Sequence, residues 1–559
     1  MKAAGSGRGA GLVALLLVLL ALLWLGARAD GLTTDEGIYI PAGLRHLERG
    51  DFSLNPETPP LAKLLCALPL LGRGLPTPAR RRGESDADWA RRSLERAPDL
   101  GALITAARLP VVVLTVLLAA GLWAWARATH GATAGWAALV LAVFHPSLLA
   151  HGHLATTDLP ATAGMLATSA AFWWWSRRPG LARAALVGLS FGLAISTRLT
   201  AAVLAPCLGL WVLGECWRLP PAERRTRAGQ LLGLALLSLL LGLGTVWASY
   251  GFRYSAAPDG RPARAAVLRD GAGGGHAWLL GSRLLPEAYL EGLRFQLEHE
   301  RRGHPAYLLG ERSRRGWRSY FLVAFLVKNT PGFLAATLLL LAALLRRPPA
   351  WQSVETQWLL PALATFAAAS LGHIQIGERY LLPVYPYLIL LIASRAAPLM
   401  ARAQGRSLAL AVAALHVAPA VAAARPGHLA YFNTLAGGTA GAHRVLLDSN
   451  LDWGQDLPRL AGWMRDHGIE EVQLGYIGSD FPDRLGIRHR DLPGRHPCSA
   501  GPAAEPFEGV LVVSPNLLLN LLDRPGPNPY ESLAGRQPDA RAGVFFVYRL
   551  PAAGVSGSR

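Results

Sequence analysis

Lysine is nearly missing from this sequence: of 55 basic side chains in 559 residues, lysine supplies only Lys2, Lys63 and Lys328. Acidic residues are also few, 37 in all, which leaves a net charge of +18. Charged residues make up 16% of the chain against 52% hydrophobic. So little charge over so much apolar chain excludes a disordered or highly solvated protein and points to one that lives in a bilayer. A positive balance fits nucleic-acid binding only where basic residues interleave with aromatics. Here they cluster in short gaps between apolar runs, as membrane loops do, and nucleic acid is excluded as a partner. The dominance of arginine, with heavy Ala, Gly and Pro usage, suggests a GC-rich bacterial source. Cysteine is scarce as well. Cys66, Cys207, Cys216 and Cys498 show no metal-ligand spacing, so all four read as structural.

What is abundant is long apolar runs. About 30 Å of hydrocarbon needs roughly 20 helical residues at 1.5 Å rise each. Eleven such spans are expected, at 10–27, 103–126, 133–150, 159–176, 182–197, 199–217, 229–250, 319–345, 356–372, 380–398 and 407–424. With the N-terminus inside, the internal gaps carry Arg127, Arg177-Arg178, the basic run 223–227, Arg346-Arg347, and Arg402 with Arg406. All are basic, as the positive-inside rule requires. The long segments 28–102 and 251–318 then fall outside. The first run, with a basic start and Ala27-Arg28-Ala29 behind it, fits an uncleaved anchor or a cleaved signal peptide; the anchor is expected, because the loop that follows needs it.

After residue 425 the spans stop. Residues 426–559 show β-like runs at Arg444–Leu447, Val472–Tyr476, Gly509–Ser514 and Val544–Tyr548, and a helical stretch from Trp453 to His467 with Asp452 as its N-cap. The expected fold is therefore a polytopic α-helical membrane protein of about eleven transmembrane helices over residues 1–425. It carries a small C-terminal α/β soluble domain over residues 426–559, on the outer face.

Polar residues that a membrane protein has little reason to keep gather in the outer segments. Asp35 and Glu36 lie just past the first span. Asp35 is either the cap of a helix beginning near Gly37 or a reactive carboxylate at the lipid boundary, held there by an amphipathic helix. Glu57 precedes the double proline Pro59-Pro60, and Lys63 follows it, either snorkelling to the interface or offering a point charge to a phosphate. His151, His153 and Asp158 lie between the third and fourth spans. They are candidate metal ligands, although their spacing matches no zinc pattern, and Asp158 also suits the first turn of the next helix. Arg198 stands at an outer hairpin turn, and Glu378, Arg379 and Tyr380 precede the tenth span. Outer basic residues of this kind neutralise a phosphate leaving group elsewhere. Lys328-Asn329-Thr330-Pro331 falls inside the eighth run. Asp448-Ser-Asn450-Leu-Asp452 opens like a calcium loop, but Trp453 and Arg459 occupy its sixth and twelfth positions, which excludes an EF-hand.

Taken together, Asp35-Glu36, Tyr39, Gly50-Asp51, Pro59-Pro60-Leu61 and Lys63 resemble the first outer loop of the GT-C membrane glycosyltransferases. The likeness is to the family 39-like group, which holds protein O-mannosyltransferases and bacterial aminoarabinose transferases. Asp158 sits where that family often has a second outer acid, and Gly377-Glu378-Arg379-Tyr380 with Pro383 resembles a late element of it. Tyr431-Phe432-Asn433, Gly437-Gly438 and Asp448 to Asp456 resemble the tail of a bacterial subgroup. The sequence departs from the pattern before the double proline, where Glu57-Thr58 replaces the usual His or Lys.

The resemblance implies inverting transfer of a sugar from a polyprenyl-phosphate donor to an outer-face acceptor, whether protein, lipid or glycan. It implies Asp35 as general base with Glu36 beside it. Lys63, Arg198 and Arg379 would bind the donor phosphate, and Tyr39, Glu57, Asp158, Glu378 and Tyr380 the substrate. A divalent metal, Mg or Mn, stays open. The expected location is the bacterial inner membrane, with the N-terminus cytoplasmic and the C-terminal domain outside. The rival readings are a transporter or flippase, which would place ionisable groups mid-span along a path, and a non-catalytic anchor for a binding domain.

Overall fold

A computed structural model of the chain describes residues 3–259, 283–423, 427–492, 507–522 and 528–551; Cys498 and part of the second outer segment lie outside the described residues. All eleven apolar runs are helical. The first forms α1 (Ala3–Ala29), and the next two are joined in α5 (Leu100–Val143). The backbone of α5 leaves helical geometry at Gly131 (φ 86°), which glycine tolerates. Trp123 and Trp136 would lie about 20 Å apart on one straight helix. Their rings are 6.4 Å apart, so the chain folds back there as a hairpin. Then come α6 (Pro146–His151), α7 (Asp158–Arg177), α8 (Leu181–Thr197), α9 (Leu204–Arg218) and α10 (Pro221–Ser249). Among the described residues five helices are long and apolar enough to cross a membrane, and shorter apolar helices accompany them. The chain is a multi-pass membrane protein.

The run 319–345 is not one helix. It breaks into α12 (Tyr320–Lys328) and α13 (Pro331–Arg346), because Pro331 has no N–H to continue the ladder and the Thr330 hydroxyl accepts the Phe333 N–H at 3.2 Å as a cap. The last spans are α14 (Val354–Leu371), α15 (Val384–Leu399) and α16 (Ala403–Ala422). The first long loop, between α1 and α5, holds α2 (Glu36–Arg49), α3 (Leu61–Ala67) and α4 (Asp86–Leu94), and α11 (Glu287–Arg302) ends the second, between α10 and α12.

The C-terminal part is α/β, as expected. β1 (Glu471–Gly475) pairs in parallel with β2 (Arg488–Asp491) and β3 (Gly509–Val513), and β5 (Phe545–Leu550) joins β3 to β4 (Ala540–Ala542) by antiparallel pairing. Two expectations fail here. Arg444–Leu447 is no strand: it is mostly a tight turn with one bridge from Leu446 to Leu308. The helix α17 (Leu457–Asp466) starts later than expected, and Asp452 does not cap it. Its carboxylate instead accepts the Gly454 N–H and the Ser514 hydroxyl, closing the turn onto β3. This domain is bonded to the first outer loop through Gly31 N to Gln455 O (2.7 Å), Thr34 N to Trp453 O (3.0 Å) and Leu32 N to Asp480 Oδ2 (3.1 Å).

Candidate active site

The first loop is fixed by a buried ion pair. Glu36 and Arg108 are both fully buried, with Nε to Oε1 at 2.8 Å and Nη2 to Oε2 at 2.6 Å. Glu36 also accepts the N–H groups of Thr33 and Ala155 and the Thr33 hydroxyl. Arg108 donates to the carbonyls of Ala27, Asp30 and Gly31. Burial alone would raise the Glu36 carboxyl, but Arg108 and these donors hold it below its usual range. Glu36, expected to act beside Asp35, therefore faces inward and ties the loop to α5; it does not reach the site.

Asp35 faces the other way. It precedes α2 without capping it, which removes the bland reading of this residue. One carboxylate oxygen accepts Arg379 Nη1 at 2.6 Å and the Tyr39 hydroxyl at 3.4 Å, and the side chain remains 24% exposed, so a substrate can reach it. Arg379 also stands 3.7 Å from Asp158, which opens α7 and pairs with Arg198. Arg198 lies over the Tyr380 ring at 4.6 Å, and Arg379 over the Trp453 ring at 4.2 Å. Residues far apart in sequence thus form one alternating cluster: Asp35, Arg379, Asp158, Arg198. Beside it opens a cavity of 140 Å³ lined by Asp158, Arg198, Arg379 and Tyr380, by the polar Gln296 and Glu300, and by apolar residues that include Met165 and Ala368. Met165 is seven residues into α7 from Asp158, about 10 Å deeper along the span.

Several expected members lie elsewhere. Lys63 is 1% exposed, and its ammonium donates to Asn55 O (2.6 Å), Asn55 Oδ1 (3.2 Å) and Thr58 O (2.9 Å). Burial pulls it down to about 7 against the attraction of Glu57 and Asp86. It clamps the turn before the double proline, with no donor left for a phosphate. Lys63→Met is therefore expected to lower the melting temperature and leave donor KM unchanged, since it orphans carbonyls at about 1–3 kcal/mol apiece. A raised KM with unaltered melting would restore the phosphate role. Glu57 is partly buried beside this turn, close enough to act electrostatically on Tyr39 and Lys63. Glu378 turns away from Arg379. It accepts the hydroxyls of Ser147 and Tyr385, its N–H donates to Asn450, and burial raises its carboxyl despite Lys328. It faces a small chamber that Arg379, His151 and Lys328 also line.

A metal does not fit the expected ligands. Both oxygens of Asp158 are faced by guanidinium groups. His153 bonds Leu149 O and Asp30 through its two nitrogens, and His151 packs beside Trp453. Among the described residues no group of three His, Cys, Asp or Glu is placed to hold an ion. Lys328, the one mid-span lysine, donates to Leu429 O (2.8 Å) and Asn450 O (2.7 Å) and so fastens α12 to the C-terminal domain instead of lining a path.

Three participants were not read from the sequence. Arg108 was passed over inside an apolar run, although a lone arginine at membrane depth is itself a signal. Trp453, which the sequence shows only as the first residue of a helical stretch, is the platform for Arg379. Asp448 was set aside with the calcium-like loop, yet the tripeptide Asp448-Ser449-Asn450 is pinned against the site by Ser449 to Ile376 O and Asn450 to Tyr320. Asp448 adopts φ 60°, a left-handed conformation that Asp tolerates better than most residues. Burial pushes its carboxyl up to about 7, partly opposed by Arg379, and pushes Asp452 and Asp456 up to about 6. Native carboxyls that hold protons the unfolded chain has released make stability fall as pH rises from about 4 to 7. Buried histidines such as His46 and His428, which burial holds below their usual range, act the opposite way, so the test is a difference: the melting temperature of the wild type minus that of Asp448→Asn is expected to fall between pH 5.5 and pH 7.5. A difference that rises over this interval would contradict the burial of Asp448.

Comparison with known proteins gives two kinds of likeness, while no curated protein matches the sequence. Across 98% of this chain and 99% of the other, the fold aligns with ArnT from Cupriavidus metallidurans bound to undecaprenyl phosphate, at 16% identity and TM-score 0.48. It also aligns with the oligosaccharyltransferase AglB from Archaeoglobus fulgidus, in complex with an inhibitory peptide and a dolichol-phosphate. That alignment is at 13% identity and TM-score 0.45, over 89% of this chain and 61% of that one. In sequence, residues 100–241, which run from α5 through α10 and carry Arg108, Asp158 and Arg198, match the family described as dolichyl-phosphate-mannose-protein mannosyltransferase.

Proposed function

We propose that the protein transfers a sugar from a polyprenyl-phosphate carrier to a hydroxyl-bearing acceptor at the outer face of a bacterial inner membrane, with inversion at the anomeric carbon. The observation that carries this reading is the pairing of a reachable carboxylate with two arginines beside a partly apolar cavity. A lipid-linked donor has matching parts: an apolar tail, a phosphate and a sugar. The tail follows Met165 and Ala368, and the phosphate meets Arg198 and Arg379, whose fixed charges suit an oxygen that gains negative charge. Asp35 takes the acceptor's hydroxyl proton as the acceptor oxygen bonds to the anomeric carbon. The bond from that carbon to the phosphate oxygen breaks, and the carrier leaves as polyprenyl phosphate. A phosphate entering at Arg379 competes with Asp35 for that guanidinium, which frees the carboxylate when the donor is in place. The family match over residues 100–241 supports the same reading.

The experiment is turnover of a labelled polyprenyl-phosphate sugar by the full-length protein in proteoliposomes. Arg198→Ala is expected to raise donor KM by about 10- to 100-fold, the worth of one charge-assisted contact. Absence of any turnover or hydrolysis of lipid-linked sugars across a donor panel would remove the proposal. Movement of an intact lipid-linked donor across the bilayer would favour the flippase reading.

A further inference from the structure

A second cavity, of 470 Å³, lies among the return arm of α5 (residues 133–143), α13, α15 and α16. Its walls are apolar, formed by Trp136, Leu141, Leu340, Leu408 and Val412 among others, and Arg395 is the only charged residue in the lining. The Nε of Arg395 is buried and has no hydrogen-bond partner. The lining residues fall toward the ends of these helices that join the segments holding Arg127, Arg346-Arg347, Arg402 and Arg406. Those ends are opposite to the ones carrying Asp158 and Arg379, so the cavity belongs to the other leaflet.

The cavity is closed at its inner end, while Leu399, Leu408 and Leu410 of its lining are exposed at its mouth. At its inner end Gly332 packs so closely on α16 that a Cβ there would come within 2.2 Å of Val412 O and 2.4 Å of His416 N. His416 Nε2 donates to Leu141 O at 3.1 Å and the Thr330 hydroxyl donates to its other nitrogen at 2.6 Å, which closes the top. From Thr133 to Leu141 the wall is eight residues long, about 12 Å. Arg395 stands one turn from the end of α15, near headgroup depth. Arg395 is partly exposed, and its buried Nε without a partner beside apolar walls is best served by an acceptor such as a phosphate.

We propose that this cavity binds an anionic glycerophospholipid of the leaflet opposite the transfer site, with one acyl chain in the apolar hole and the phosphate on Arg395. The depth suits part of an acyl chain, and the closed top stops a long polyprenyl tail from running on toward the transfer site. None of the lining residues touches the Asp35 cluster, so the proposal stands apart from the transfer reaction.

The test is native mass spectrometry of the purified full-length protein offered equal phosphatidylglycerol and phosphatidylcholine. The wild type is expected to retain phosphatidylglycerol by about tenfold over phosphatidylcholine, a difference of about 1.4 kcal/mol. Arg395→Leu is expected to bring the two to parity, and Ala409→Phe, which fills the hole, to lose both. Parity in the wild type, or an unchanged preference in Arg395→Leu, would overturn the proposal. Retention of undecaprenyl phosphate instead would assign the cavity to the carrier and overturn it too. Should a variant fail to fold, phosphatidylglycerol with a diazirine in its tail decides on the wild type alone. Labelling of the segments around Trp136 and Leu408 supports the site, and labelling confined to other segments contradicts it.

Discussion

Asp35→Asn is expected to abolish transfer while the protein still folds, inserts and binds its donor. The asparagine keeps the shape of the side chain and still offers an oxygen to Arg379 Nη1, the 2.6 Å contact that anchors Asp35. What it cannot do is take the proton of an attacking hydroxyl. Positioned proton transfer contributes roughly 100- to 10,000-fold, so kcat is expected to fall by at least about 100-fold with donor KM little changed. Because Asp35 caps no helix and is partly exposed, the folding stability is expected to stay within about 0.5 kcal/mol of the wild type. A loss of activity accompanied by a matching loss of folded protein would make Asp35 structural.

The second large effect concerns Arg108, and it is one of stability. Arg108→Met leaves Glu36 charged and buried without its partner and strips the carbonyls of Ala27, Asp30 and Gly31 of their donor. Breaking one side of a buried pair costs about 3–5 kcal/mol, a large share of the stability of most domains. Thermal unfolding of the detergent-solubilised protein is expected to show that loss, with little folded material recovered. Glu36→Gln, which keeps the shape and part of the hydrogen bonding, is expected to lose less. Wild-type stability in Arg108→Met would mean that the loop is held to α5 by something other than this pair. The contrast between neighbours is the point. Asp35 and Glu36 are adjacent acids, yet one is a reachable carboxylate and the other a strut, because the α2 backbone turns their side chains to opposite sides of the loop.

Legibility followed the physics of each feature. The membrane helices were readable because apolar length and basic gaps are properties of the chain itself. Span parity then placed Asp35, Asp158, Arg198 and Arg379 on one face, and the structure brings those four together. Parity does not say which way a side chain points. A rare lysine near a proline pair suits either the interface or a phosphate, and the family resemblance implies the phosphate, but Lys63 satisfies carbonyls of its own turn. Glu378 and Arg379 are sequence neighbours whose side chains take different partners, Ser147 and Tyr385 for one and Asp35 for the other, although both line the same small chamber. The break at Asn329-Thr330 was masked by hydropathy, which averages over the polar residues, although Pro331 marked it. The role of Trp453 depends on the C-terminal domain docking on the first loop, a long-range contact that no local pattern encodes.

The central claim is that Asp35 acts as a base in a single displacement, so the anomeric configuration of the product tests it most directly. With a donor of defined configuration, the coupling constant of the anomeric proton in the freshly formed product is expected to report inversion. Retention would require a carboxylate that attacks the sugar itself and forms a glycosyl-enzyme, and would contradict the account.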